Sequence, residues 1–363
     1  MAYDLGTLLN EMVADGTVPT IARNPAAQFG RRGRRYLGAE LLPEMMVNEN
    51  AYREEFVRYR TVVANDGTRY SPVQKKDGDL IGSFLVELAH SDIGRELSGR
   101  QYDNLLRYLQ TSASMEAVAS ITNWLDTTVN LALVENNERM RWEAIVGASV
   151  ALRGANAYAE AVSYSNPTNH RAAAGGTWSS DAYDPFDDIL AMVDLLKGKG
   201  FEVNRMITSQ AVVSILSGND NIKARTGVAV INASGQITSV SGRANLEAIN
   251  GSFARDGLPP IETYDLLYRT STGTARFMPS TVMVFACTTG RDDIIDLGDD
   301  ERTIRDTLGY TAIGIPAGQP NPGRVIRMES FSNKPPRIEA EGWQASLPVI
   351  TEPEAIAVIT GIG

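Results

Sequence analysis

From Ser112 to Val146 no proline or glycine interrupts the chain, and Val118, Ile121, Leu125, Val129 and Ala132 recur at the spacing of one helix face. The pattern predicts a single helix over 112–147 that stops at Gly147. At about 1.5 Å per residue such a helix exceeds about 40 Å, longer than a small domain requires, and reads as a structural beam. Beyond it strand and helix patterns alternate. TWSSDAYDPFDDILAMVDLLKGKG predicts a helix with Asp184, Asp187 and Asp188 near its start and lysines near its end, the charge order that suits a helix dipole. FEVNRMITSQAVVSILSGNDNIKAR predicts a strand to Ile207 and a helix from Ser209 that ends near Gly218. LEAINGSFARDGLPPIETYDLLYR reads as a helix, a proline-pinned turn and a strand, and MPSTVMVFACTT is the clearest core strand because no charge interrupts it. The stretch between Leu152 and Trp178 reads as short strands with turns, and past Gly309 strand-like alternation resumes with prolines at the joints.

The beginning of the chain lacks this regularity. A short amphipathic run, LGTLLNEMV, gives way to IARNPAAQFGRRGRRYLGAELLP, where glycine, proline and Arg23, Arg31, Arg32, Arg34 and Arg35 leave little room for core. It is expected to be an arm that orders only on a surface supplied by something else, because it cannot offset its own conformational entropy. Around Asn65-Asp66-Gly67 a turn signal between β-prone flanks predicts a protruding hairpin. The flanks are too polar for a buried sheet, so a lone hairpin there would be marginal and needs a partner.

Composition narrows the partners. The chain has 363 residues, 43% of them hydrophobic, enough for a sizeable core and two or three domains. With 34 Lys and Arg against 44 Asp and Glu the net charge is −10, which opposes nonspecific attraction to nucleic acid or anionic lipid over the surface as a whole. The single Cys287 lies in an apolar run and is expected to be buried in a protein of a reducing cytoplasm. Neither a basic segment leading into an apolar one nor a run of about eighteen apolar residues occurs, so no secretory signal and no membrane span are expected.

Candidate chemistry is thin. His90 and His170 have no ligand partners at HxxxH or HxxEH spacing, which argues against a zinc site. His90 reads as an exposed or capping imidazole and His170 as a loop residue. A nucleophile elbow GxSxG and a phosphate loop GxxxxGK[ST] are both missing. Acidic clusters at 181–188 and at Asp292, Asp293, Asp296, Asp299 and Asp300 could in principle hold Mg²⁺ or Ca²⁺, but neither has the EF-hand pattern, and a solvated turn or subunit contact is the favoured reading of the second. No catalytic, cofactor-binding or metal-binding residue is therefore assigned. The arginines of RRGRR are read as pairing with acidic faces of neighbouring subunits in preference to DNA, since aromatic residues for base stacking are few there.

A basic arm, a hairpin, one long helix, a compact α/β unit and a β-rich end stand in an order that resembles the Hong Kong 97-type capsid fold. YLGAELLPEMMV, NNERMRWEAIVGA, LPPIETYDLLYR with FMPSTVMVFA, and KPPRIEAEGWQASLPVITEPEAIAV are each similar to phrases in lambda-type major capsid proteins of tailed bacteriophages, the major capsid protein E family. The resemblance implies an α+β fold with an N-terminal arm at 1–53, an extended loop at 54–84, a peripheral domain at 85–184 with its spine helix at 112–147, an axial domain at 185–308, and a β-rich return to the peripheral domain at 309–363. It implies a structural, non-enzymatic subunit that assembles with itself as hexamers and pentamers into an icosahedral head around double-stranded DNA held nonspecifically. Assembly in the host cytoplasm would use a scaffolding protein and a portal, a decoration or cement protein would be a further partner, and the finished location would be the virion. Candidate inter-subunit contacts are Arg31, Arg32, Arg34, Arg35, Arg58, Arg60, Arg69, Lys75 and Lys76. Some relatives cross-link through a lysine in the extended loop; Lys75 and Lys76 match no reactive position, and no cross-link is expected.

Two other readings compete. An encapsulin-like nanocompartment shell keeps the fold and changes the contents, and neighbouring genes separate it from a phage head. A cytosolic α/β enzyme built on residues 185–300 lacks a recognisable site and would be a monomer with a turnover.

Overall fold

The computed structural model describes residues 5–22, 33–48, 51–58, 80–110, 114–153, 159–164, 166–226, 229–231, 234, 237–240, 242–270, 272–288, 292–296, 301–305, 307–331 and 333–363. Two short helices, α1 (Leu5–Ala14) and α2 (Thr17–Ala22), open the described chain, followed by α3 (Leu37–Leu41) and strand β1 (Glu44–Met46). Strands β2 (Ala51–Arg58) and β3 (Leu80–Glu87) pair antiparallel with each other, Ala51 opposite Glu87 and Arg58 opposite Leu80, and overlap both ends of the stretch expected to be an extended loop, 54–84. The turn signal at residues 65–67 lies outside the described residues. Strand β4 (Ala89–Ser98) and helix α4 (Arg100–Gln110) lead to the long helix.

That helix is present from Ser114 to Gly147 as α5 (Ser114–Leu125), one wider π turn at Asp126–Asn130, and α6 (Leu131–Gly147). In the π turn Thr127 and Thr128 donate their hydroxyls to the carbonyls of Asn123 and Trp124 at 2.5 and 2.6 Å, the local bonding by which threonine bends a helix. Ile121, Leu125 and Val129 are buried, as their spacing predicts. The helix stops at Gly147, as expected, and the capping residue Ala148 takes a left-handed conformation with φ 49°. Its last carbonyls are capped by Arg171, whose guanidinium reaches Val146 O at 2.9 Å and Ile145 O at 3.0 Å.

Short strands follow: β5 (Ser149–Arg153) with β6 (Ala159–Ser163), then β7 (Arg171–Ala173). The next elements are α7 (Pro185–Gly198), β8 (Arg205–Thr208), α8 (Gln210–Gly218), α9 (Asp220–Thr226), β9 (Ala229–Ile231), β10 (Ile237–Val240), α10 (Leu246–Arg255), β11 (Ile261–Thr263), β12 (Leu267–Arg269), β13 (Thr274–Arg276) and β14 (Met283–Ala286). Three of these helices start on a side-chain cap that the sequence supplies. Asp184 accepts from Phe186 N at 3.0 Å, Ser209 from Val212 N at 3.2 Å and Asn245 from Ala248 N at 2.7 Å. The chain ends with β15 (Asp292–Asp296), β16 (Glu301–Arg305), β17 (Gly309–Ile313), β18 (Arg324–Phe331), β19 (Arg337–Ile350) and β20 (Ile356–Thr360).

Two five-stranded sheets organise these elements. In the first, β19 is central: β4 pairs along one side, β18 and then β17 along the other, and β1 adds parallel to β17. The long helix lies on one face of it, so closely that a Cβ on Gly342 of β19 would sit 2.4 Å from Val129 Cγ1. The second sheet has the order β11-β8-β14-β20-β7. Its middle strands are buried on both faces: Val284, Ala286, Ile356 and Val358 join one core cluster, while Met283, Phe285, Ala357 and Ile359 join the cluster under α7, α8 and α10. Burial on both sides is why MVFA reads as an unbroken apolar run.

In its architecture the structure departs from the sequence reading at both ends of the chain. The stretch read as an arm with little room for core contains Tyr36, Leu37, Ala39, Leu41 and Leu42, all buried in the main cluster. Leu8, Leu9, Met12 and Val18 likewise pack with Ile121, Leu125 and Ile338 of the same chain. Arginines and glycines had masked apolar side chains that the long helix and the first sheet can bury. The C-terminal stretch also divides: β17 to β19 join the sheet under the long helix, whereas β20 crosses into the second sheet between β14 and β7. Uncharged and wholly apolar over IAVI, it fits an interior position there.

Candidate functional site

The most elaborate side-chain constellation is a buried polar junction on α6, where NNERMRW puts charged groups on every side of the helix. Glu138 and Arg141 are both fully buried. Oε1 of Glu138 accepts from the backbone N–H of Gly38 at 2.9 Å, from Trp142 Nε1 at 2.8 Å and from the Tyr264 hydroxyl at 2.6 Å, and Oε2 faces Arg141 Nη1 at 3.4 Å. Glycine is required at 38, because a Cβ there would lie 2.8 Å from both carboxylate oxygens. The Tyr264 ring stacks on Trp142 with centroids 4.8 Å apart.

A second carboxylate, Glu44 on β1, is 6% exposed. It accepts from Asn137 Nδ2 at 2.9 Å, from Arg141 Nη2 at 3.5 Å and from Arg324 Nη2. Arg141 Nε donates to Thr311 Oγ1 at 2.8 Å, and that hydroxyl donates to Leu42 O at 2.9 Å. Gln344 accepts from Arg324 Nε at 2.9 Å and donates to Asn137 Oδ1 at 2.7 Å, which also accepts from Ser346 Oγ at 2.9 Å. Two carboxylates and two guanidinium groups thus neutralise one another while joining α3, β1, α6, β17, β18, β19 and the residues after β11.

Burial alone would raise the Glu44 carboxyl, but Arg324 and Arg141 outweigh it and hold the group below its usual range. The Tyr264 hydroxyl is pushed well above the normal tyrosine range by burial and then by the Glu138 charge. Tyr36 is raised in the same way by burial and by Glu135. The junction therefore keeps its carboxylate and phenol in one protonation state each across ordinary pH. Closed to solvent and with its charges paired, it fastens elements together.

A groove of about 440 Å³ opens beside the end of α6 and is lined in part by Arg139, Glu143, Tyr268 and Arg276. Its charges are also paired, Arg139 with Glu143 at 2.7 Å and Arg276 with Asp265. Among the described residues no group of three or more His, Cys, Asp and Glu side chains could hold a metal ion, and no helix is long and apolar enough to cross a membrane.

The residues singled out from sequence fall as follows. Arg34 pairs with Glu135 at 2.7 Å and with Leu267 O, and Arg35 with Glu40 at 2.5 and 2.6 Å, all within one chain. Arg58 ends β2, and Arg31, Arg32, Arg60, Arg69, Lys75 and Lys76 lie outside the described residues. The acidic cluster at 181–188 serves its own loop: Asp184 caps α7 and pairs with Arg225 at 2.9 Å, and Asp188 accepts from Trp178 Nε1 at 2.7 Å, Tyr183 OH at 2.6 Å and Gly175 N at 3.0 Å. The second cluster begins in an antiparallel pair, β15 with β16, rather than a simple turn. Cys287 is buried and His90 exposed, as expected. His170, read as a loop residue, ends the short 3-10 turn Thr168–His170 and is fully buried, with Nδ1 3.0 Å from Ile356 O. Glu44, Glu138, Arg141 and Arg324 were missed. The available signal was the even spread of charge around a stretch of helix that also carries a tryptophan, a pattern no one-sided surface helix shows.

A long helix on a sheet centred on a late strand, a second sheet with helices against it and a separate two-stranded pair, β2 with β3, make up the Hong Kong 97-type α+β capsid fold. Over 100% of both chains the structure is similar to a crystal structure assigned to a prophage capsid protein of E. coli CFT073, with a TM-score of 0.59 at 14% identity. A phage-related protein of Bordetella bronchiseptica RB50 follows at a TM-score of 0.49 and 13% identity, covering 94% of this chain and 96% of that one. The holo-SrpI encapsulin complex of Synechococcus elongatus PCC 7942 gives 0.41 and 12%, with 92% and 89% covered. No curated protein sequence matches. The family model for phage major capsid protein E matches residues 94–293, more than half of the chain. The chain belongs to that family and is a structural capsid shell protein.

Proposed function

We propose that this protein forms the head shell of a tailed phage as hexamers and pentamers of one chain, enclosing double-stranded DNA without sequence recognition and performing no catalysis. The observation that carries this reading is the hairpin β2–β3, which pairs with no third strand among the described residues. A lone two-stranded ribbon is marginal in water and becomes stable when it lies on another surface. In a shell of identical subunits a neighbour supplies that surface at every position. The hairpin at 54–84 would then be the extended loop, the long helix and first sheet the peripheral domain, and the second sheet with its helices the axial domain. Arg58, Arg60, Arg69, Lys75 and Lys76 would act at contacts between subunits.

Assembly in the host cytoplasm would draw on a scaffolding protein and a portal, and a decoration protein could bind the finished head. Pairing of the charges in the α6 junction, and the structural bonds that Asp184 and Asp188 make in their own loop, support a role without chemistry. Electron microscopy of the protein expressed with its neighbouring genes tests the proposal. Closed shells are the expected result; a uniform population of monomers under all such conditions overturns it. Boiling purified particles in detergent is expected to release single chains, and a ladder of resistant oligomers would show a cross-link.

A further inference from the structure

We infer that the outer face of the first sheet seats Arg31 and Arg32 of a second copy of this chain, an inference that rests on the shell function proposed above. Strand register fixes what that face presents. The long helix covers the face carrying Leu97, Ile338, Ala340 and Gly342, so the alternate residues point the other way. Across β4, β19 and β18 these form the rows Glu96, Glu339, Glu329, then Gly94, Glu341, Arg327, then Asp92, Trp343, Val325. With Arg337 and Phe331 at one end, five carboxylates stand against two guanidinium groups. Arg337 pairs with Glu339 at 2.5 Å and Arg327 with Glu329 at 3.7 Å, and the carboxylates still outnumber the guanidinium groups by three, which leaves the face in want of positive charge.

One pair on this face already shows how it takes a guanidinium. Arg337 lies over the Phe331 ring at 4.7 Å and donates from Nε to Glu339 at 2.5 Å, held between an aromatic ring and a carboxylate. At the other end of the face Trp343, Asp92 and Glu341 repeat the combination: Asp92 is directly opposite Trp343, and Glu341 is two residues along the same side of β19. Trp343 is half-buried, Asp92 and Glu341 are exposed, and among the described residues no guanidinium lies over that ring. The site fits an arginine approaching from outside.

The chain carries the complement. RRGRR puts four cations in five residues, the densest positive run in the sequence. Arg34 and Arg35 are engaged within their own chain by Glu135 and Glu40, which anchors the C-terminal half of the run. A face and a segment at different places on one subunit make a heterologous contact, the kind that closes into rings.

The test uses the full chain under conditions in which the wild type forms particles, and compares Asp92→Lys with Glu341→Lys, Arg31→Glu with Arg32→Glu, and all four changes together. Each pair is expected to abolish sedimenting particles while leaving the subunit's circular dichroism and melting temperature unchanged, and the fourfold variant to restore them. Particles at wild-type yield from either pair, or no restoration by the fourfold variant, overturns the inference. If a reversed variant fails to fold, the milder pair Asp92→Asn and Glu341→Gln decides, because it keeps the shape. Its particles must come apart at lower salt than the wild type, since exposed pairs are screened, and an unchanged salt midpoint overturns the inference. Should the wild type itself form no particles with any of its neighbouring genes, the shell function falls instead.

Discussion

The two sheets hold together by different means. Around β8, β14 and β20 the second sheet buries an apolar middle on both faces, with Met283, Val284, Phe285 and Ala286 all inaccessible. The first sheet and the long helix instead enclose Glu44, Glu138, Arg141 and Arg324. Apolar contact is indifferent to direction and rewards any close packing. A buried carboxylate tolerates only the arrangement that supplies its donors, since an unpaired charge in the interior is costly. The contrast matches what each body must join. Strands β8 and β14 follow within one α/β unit, whereas the junction must bring together residues 38–44, 137–142, 264 and 311–346 in one relative position.

Breaking the junction should cost most. Glu138→Ala leaves Arg141 without its nearest carboxylate and three donors without an acceptor, and is expected to destabilise the subunit by about 3–5 kcal/mol in denaturant unfolding. Gly342→Ala tests the contact between helix and β19 with no charge involved; the added methyl meets Val129 and should cost about 1–3 kcal/mol. Arg171→Met removes two bonds to the last carbonyls of α6 but keeps much of the side-chain volume, for a loss of about 1–2 kcal/mol. Asp184→Ala, which removes the α7 cap and the ion pair with Arg225 in the second body, should cost about 1–2 kcal/mol and leave the first body's hydrogen-exchange protection unchanged. The smallest effect near neutrality is acid dependence. Because the folded Glu44 carboxyl is held below its usual range, its contribution is complete above the ordinary carboxylate pKa and is lost as pH falls toward the lowered value. Melting curves of Glu44→Gln should show less of that acid loss than the wild type; an equal loss would assign it to other groups.

Much of the second body was legible because its signals are local. Asp184, Ser209 and Asn245 announce helix starts through bonds within three residues, and MVFA needs no knowledge of its neighbours to read as buried. The long helix was legible for the same reason, although its π turn was not, since DTTVN differs from its surroundings only by two threonines whose hydroxyls find the preceding carbonyls. The junction was hidden. Glu44 and Arg324 look like ordinary surface charges in sequence, and what buries them lies hundreds of residues away. Burial of YLGAELL was obscured by the arginines before it, and the burial of His170, read only as a loop residue, was hidden because its cover, β20, lies nearly two hundred residues further on.

The position of β20 also bears on how the subunit is made. Both sheets take an interior strand from the last stretch of the chain, β19 in one and β20 in the other. A ribosome delivers residues in order, so β4 and β18 wait for β19, and β14 and β7 wait for β20. Neither hydrophobic body can close while residues 337–360 are still in the exit tunnel. A truncated translation product would lack an interior strand of both sheets, and quality control by proteolysis could remove it before it entered a lattice where one defective tile affects all its neighbours.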